Sequence, residues 1–279
     1  MKKFILNADD FGMTEEYNKA VLEGYAKGIL KSASICANGE AFDNAINETI
    51  PQCEGLSVGV HLNIIEGKSL TDCPMLTDNS GNFNNGYIAL MLKSLNKNFL
   101  EQTEKEFQAQ IEKIQSRTKV DHIDSHVHTH AIPNIFKIVV KLAKKYDIPY
   151  VRTQFEKPYF VPGFKKHFNK KYPPNILKII LLNSFTLLNK QHIKNSGLKT
   201  NDYLIGVGYT GMMDNQTVEY GLKRLSSDFI AEALIHPCRY DTPIDDSHHN
   251  EFLITQNSEL KNKIENMGIC ITNHNFNDN

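Results

Sequence analysis

Short apolar runs alternate with stretches of helical periodicity along the whole of this 279-residue chain, and that alternation leaves few folds open. Residues 3–8 read as a buried strand, followed by Ser32–Ala37, Leu56–Leu62, a histidine-rich run after Val120, Pro149–Arg152, Tyr203–Val207, Phe229–Ile235 and Gly268–Thr272. Between them, Tyr17, Val21, Leu22 and Tyr25 share one helical face, with Thr14 as the expected N-cap and Gly28 as the stop. Further helices are expected at Phe42–Ile50, Phe99–Ser116, Asn134–Tyr146, Thr217–Leu225 and Glu259–Asn266. A β-α-β-α order implies parallel strands joined by right-handed crossovers. Seven or eight such strands predict an α/β fold: an irregular, TIM-barrel-like (β/α) barrel as one domain over residues 1–279. Two Gly-, Asn- and Pro-rich regions, near 63–98 and 153–200, read as insertions, and the second holds an apolar helix at 176–188.

The chemistry concentrates in Asp121-His122-Ile123-Asp124-Ser125-His126-Val127-His128-Thr129-His130. If the strand stays extended, His126, His128 and His130 alternate and project to one side. Imidazoles grouped so suit Zn²⁺ or another divalent metal, and nearby acids can orient the rings or bind the metal themselves. Asp9, Asp10, His61, His126 to His130 and His236 all fall at or just past the C-terminal ends of expected strands. In a (β/α) barrel those ends converge on one face, where active sites form.

Asp10, His61 and His126 would supply one carboxylate and two imidazoles, leaving a metal position for water or substrate. On an ideal strand Asp9 and Asp10 face opposite sides, but a strand end can turn. One acid could then bind metal while the other takes a proton from water. His236 can protonate a leaving amine. Arg152, also just past a strand, can hold a polar substrate or pair with an acid. His122, Asp121 and His274 read as structural or surface residues.

Composition excludes several other roles. A formal net charge of −1 gives no electrostatic case for nucleic acid or an anionic membrane. Five widely spaced cysteines without a C-x-x-C pair argue against a disulfide framework and for a reducing, cytoplasmic setting. The apolar run Phe4-Ile5-Leu6 is too short for a signal peptide, and the helix at 176–188 is too short to span a bilayer.

Four motifs, in order, carry a resemblance: Asn7-Ala8-Asp9-Asp10-Phe11-Gly12, Gly59-Val60-His61-Leu62-Asn63 with Glu66-Gly67-Lys68, His122 to His130, and Glu232-Ala233-Leu234-Ile235-His236-Pro237. Together the chain resembles the YdjC-like carbohydrate deacetylase family, which includes chitooligosaccharide deacetylases. The resemblance implies a (β/α) barrel, often dimeric, that uses one divalent metal ion (Mg²⁺ or Zn²⁺) to release acetate from an N-acetylated sugar or oligosaccharide. It implies metal on Asp10, His61 and His126, Asp9 as base, and His236 as acid with His128 in competition. His128, His130 and Arg152 are expected to contact substrate. With no tryptophan in the chain, sugar stacking falls to Phe83, Tyr87, Phe155, Tyr159 or Tyr209. Two other readings stand beside this one: a different metal-dependent barrel hydrolase (an amidohydrolase or phosphoesterase, with two metals), and a sugar-binding protein without catalysis.

Overall fold

A computed structural model describes residues 1–242 and 246–276 of the chain. Its trunk is β1 (Lys2–Phe11), buried from Phe4 onward. The chain then runs through α1 (Glu15–Lys27), β2 (Ser32–Ile35), the single turn α2 (Phe42–Asn44), β3 (Ser57–Leu62), α3 (Tyr87–Lys93), α4 (Lys97–Gln115), β4 (His122–Ser125), α5 (Pro133–Lys145) and β5 (Tyr150–Val151). It continues with the short α6 (Phe164–His167), the long α7 (Tyr172–Ser196), β6 (Tyr203–Ile205), α8 (Asn215–Lys223), β7 (Phe229–Ile235), α9 (Ser247–Thr255), α10 (Ser258–Asn266) and β8 (Ile269–Thr272).

All strand pairings are parallel, in the order β5-β4-β3-β2-β1-β7-β6. β8 joins the first half of β1, below the point where β2 begins to pair. The sheet curls into a half-barrel, an irregular form of the (β/α) barrel expected from the sequence, and it does not close among the described residues. Between β5 and β6 no ladder forms among the described residues; the segments around them meet through an isolated Tyr150–Lys199 bridge, Thr153–Asn201 side-chain bonds and a 2.8 Å bond from the Leu204 N–H to the Phe155 carbonyl. Both edge strands are too short to pair along their length, with two residues in β5 and three in β6.

The two faces of the curl differ in chemistry. Phe4, Leu6, Ala8, Val58, Val60, Leu62, Ile123, Val151, Ala231 and Ala233 belong to the apolar core under the helices. α5 supplies its share through Ile135, Ile138, Val139 and Leu142, spaced for one face, with Pro133 preset at the first turn. Many of the alternate strand positions are buried and polar. Asn7 bonds Ser32 and Ser34, Ser34 bonds Asp124, and Tyr150 bonds Glu232, all buried. His122 and His274, expected as structural or surface residues, are buried and stacked with ring centres 3.6 Å apart. The interior is a hydrogen-bonded network rather than the branched apolar filling usual in such folds.

Local departures have local causes. Thr14 does not cap α1 through its side chain; its hydroxyl donates to Glu16 instead. The helix expected at Phe42–Ile50 breaks into α2, a wider turn and a tight turn ending at Gln52, with Pro51 unable to donate the next helical bond. The apolar helix at 176–188 is longer than expected, because Pro173 and Pro174 fit its first turn. α9 went unforeseen. Its signal was Asp246, whose side chain accepts from the N–H groups of His248 and His249, ahead of Phe252-Leu253-Ile254.

Candidate active site

β1 does not end as a regular strand. Its register with β2 slips between Ala8 and Phe11, and Asp10 takes a left-handed conformation with φ of 62°. The slip brings Asp9 and Asp10 to the same cavity, although on a flat strand they would part. Asp10 Oδ1 lies 2.8 Å from His126 Nδ1 and 3.1 Å from His61 Nε2. His61 comes up from β3, and its other nitrogen, Nδ1, lies 2.7 Å from Asp124 Oδ1. Asp124, one residue pair across on β4, therefore fixes the ring of His61.

β4 stops at Ser125, so the alternating-histidine expectation fails. Residues His126–Ala131 form a tight turn in which Val127 and His128 both have positive φ, 52° and 58°. The turn separates the three rings. His126 goes to Asp10, and His128 lines the cavity. His130 is fully buried, with Nδ1 2.5 Å from the Ser125 hydroxyl and Nε2 3.0 Å from the Arg152 carbonyl. His130, expected at the substrate, does not line the cavity and anchors the turn.

Arg152 pairs with acids, the second of its two sequence readings. It is 0% exposed and lies inside a cage of carboxylates. Nη1 and Nη2 each donate to Asp9 at 2.7 Å, Nη2 also meets Asp124 at 2.6 Å, and Nε meets Glu232 at 2.6 Å. No part of its side chain lines the cavity.

His236 follows β7 and lines the cavity, with Nδ1 3.3 Å from Glu251 on α9. Burial works against its charge, but the Glu251 carboxylate, then Asp10 and Asp9, push its pKa up to about 9. His128 differs. Burial and the Arg152 charge hold it well below the ordinary histidine range, and its Nδ1 is buried without a hydrogen-bond partner. The two histidines are thus pushed in opposite directions, His236 toward the protonated form and His128 toward the neutral one.

The cavity above these residues measures about 720 Å³. Asp9, Asp10, His126, His128 and His236 make its floor, and Tyr87, Ile88, Leu177, Lys178 and Leu181 form its walls. The walls come from α3 and α7, so both irregular regions of the sequence close over the site. Of the five aromatic residues expected to stack on a sugar, Tyr87 alone lines it. Glu66 stands at the rim, with one carboxylate oxygen 3.8 Å from His126 Nε2. Asn38 holds the loop that carries it by donating to the Glu66 and Lys68 carbonyls.

Asp10, His61 and His126 offer three ligand atoms within 4.8 Å of one another. The set fits a divalent ion on one further observation: His61 Nε2 is buried yet makes no hydrogen bond, although Asp10 Oδ1 lies nearby. Asp9, His61 and Asp124 also approach within that range. There the guanidinium of Arg152 already supplies the positive charge, bonded to both acids. The arrangement therefore supports one metal position, not the two that a binuclear hydrolase would need.

A family model described as "YdjC-like protein" matches residues 3–266. Among curated relatives, a carbohydrate deacetylase of Brevibacillus brevis is 37% identical over 149 residues, covering 53% of this chain and 58% of its own. A carbohydrate deacetylase of Geobacillus stearothermophilus is 33% identical over 175 residues, covering 62% of this chain and 69% of its own. The match thus spans little more than half the length of the first of these relatives. A crystal structure of a cellobiose-phosphate cleavage protein from Enterococcus faecalis superposes with a TM-score of 0.76 over 98% of both chains, at 24% identity. That likeness establishes a shared fold.

Proposed function

The chain belongs to the YdjC-like family, and from that premise we propose that it is a metal-dependent carbohydrate deacetylase, releasing acetate from an N-acetylated sugar or oligosaccharide. One observation carries the reading. Asp10 Oδ1 stands between two imidazoles on the floor of a cavity that also holds Asp9 and His236. A carboxylate and two imidazoles to hold a metal, a second acid and a further histidine are groups that suit metal-assisted amide hydrolysis.

Asp10, His61 and His126 would hold one divalent ion, Mg²⁺ or Zn²⁺. Bound there, it would polarise the acetyl carbonyl and lower the pKa of water. Asp9 takes the proton of the attacking water as the water oxygen bonds to the acetyl carbon. Arg152 keeps Asp9 ionised and aimed at the cavity. The carbon–nitrogen bond then breaks, and the nitrogen's electron pair takes the proton of His236. Acetate and the free amine leave. The surroundings favour His236 over His128 as the acid, because the Glu251 carboxylate raises its pKa while burial lowers that of His128. His128, neutral and with an unpartnered nitrogen, is placed to bind a substrate hydroxyl.

The same premise extends to assembly and setting. α7 exposes Leu177, Ile180, Leu187 and Leu188, and α3 exposes Ile88 and Leu92. We assign these apolar residues to a homodimer interface. No helix among the described residues is long and apolar enough to cross a membrane. No disulfide joins the cysteines among the described residues, and we take the setting to be cytoplasmic. We take the whole chain as one domain.

The mechanism is tested by Asp9→Asn. In a folded, metal-loaded protein this change should reduce acetate release by about 10²-fold or more. Full activity would contradict the role given to Asp9.

A further inference from the structure

We propose that Glu251, on the helix α9, is the residue that positions His236 to deliver a proton to the leaving amine. The inference rests on the deacetylase reading above and adds to it a residue outside every motif singled out in the sequence.

The geometry is specific. Glu251 is 2% exposed, and its Oε2 accepts from the main-chain N–H of His236 while lying 3.3 Å from the Nδ1 of the same residue. One carboxylate oxygen thus holds both the backbone and the ring. With Nδ1 engaged, Nε2 is the ring nitrogen left for the substrate. A second attachment fixes the frame: the Cys238 N–H donates to the His248 carbonyl at 3.1 Å. The end of β7 is therefore tied to α9 at two points, two residues apart. His248 completes the surround, with its ring edge-on to His236 at 6.4 Å between centres. A base or acid oriented by a third, buried group is the general arrangement by which a histidine is held to one tautomer and one direction.

A merely structural glutamate would also bond a strand end. The two roles separate by leaving group. An amine departs only when protonated. The 4-nitrophenolate of an aryl acetate departs without a proton, so its hydrolysis does not need the acid. The experiment compares wild type, Glu251→Gln and His236→Ala on two probes, an N-acetylglucosamine disaccharide and 4-nitrophenyl acetate. Glutamine keeps an oxygen for the His236 N–H while removing the charge.

The expected result for Glu251→Gln is a fall in kcat on the disaccharide of about tenfold or more, with KM little changed and the ester rate falling far less. His236→Ala should show the same selective loss, but larger. An equal fall on both probes, or no fall on either, in Glu251→Gln would overturn the role of Glu251. If His236→Ala keeps its selective loss in that case, the deacetylase reading survives without Glu251. If His236→Ala loses nothing on the disaccharide, or wild type releases no acetate from it, the reading and the inference fall together.

Discussion

Arg152, wholly buried, grips Asp9 at the cavity floor through two hydrogen bonds of 2.7 Å each. Burial alone would raise the Asp9 carboxyl. The charge and hydrogen bonds of Arg152 outweigh it and hold Asp9 well below the usual carboxylate range. The same guanidinium also pairs with Asp124 and Glu232, so one cation is shared by three buried acids from β1, β4 and β7. Asp124 in turn fixes His61. The floor of the site and the interior of the curled sheet are one continuous network.

Removing that cation should therefore affect folding before catalysis. Arg152→Met removes the cation that three buried carboxylates share and leaves only imidazoles near Asp124 and Glu232, and unpairing a buried ion typically costs about 3–5 kcal/mol. Arg152→Lys should also destabilise, since an ammonium cannot reproduce the forked contacts to Asp9. Urea unfolding of both variants checks this, with the lysine variant expected to be the milder. Wild-type stability in either would contradict the network's importance.

Gly59 is a second point of no tolerance. A Cβ there would stand 2.2 Å from Nε2 of His122, which is stacked on His274 and cannot retreat. Gly59→Ala should cost about 1–3 kcal/mol by overpacking. Thermal melting reads it directly.

Stability should also depend on pH through Glu156. Burial lifts its pKa to about 7 from an ordinary 4.5, against the backbone N–H groups of Gly208, Val207 and Gly206 that pull it down. Between those two values the folded chain keeps a proton that the unfolded chain has lost. Glu156 therefore makes stability fall as pH rises from 4.5 to about 7, and its effect levels off above that. The drop amounts to about 3 kcal/mol at most. Glu156→Gln should flatten this window in denaturant titrations at several pH values.

The rate should show its own limb. His236 must be protonated to act as the acid, and its pKa stands at about 9. Turnover should fall as pH rises through that value, because the imidazole loses the proton it donates. In His236→Ala that alkaline limb should disappear from the pH–rate profile.

Much of this was legible in the chain. The order of strands and the residues at their C-terminal ends followed from periodicity and from the positions of Asp9, Asp10, His61 and His236. The fate of the histidine run did not. Alternation predicts one shared face only while the backbone stays extended, and nothing in Ser125-His126-Val127 announces two left-handed residues, one of them β-branched. Arg152 carried two sequence readings, and the choice depended on acids 28, 80 and 143 positions away that only the fold assembles. Glu251 was missed because α9 was missed. The helix is short and opens with polar residues, and its one signal, the capping Asp246, is a local feature too weak to stand alone.

The central claim is metal-dependent deacetylation, and acetate release tests it most directly. Purified protein is incubated with a panel of N-acetylated mono- and oligosaccharides, before and after chelation, and again with Zn²⁺ or Mg²⁺ restored. The account predicts acetate from at least one sugar, lost on chelation and recovered on restoring metal. It also predicts that Asp10→Ala fails to recover activity. No acetate from any sugar by a demonstrably metal-loaded protein, or release indifferent to chelation, would contradict it.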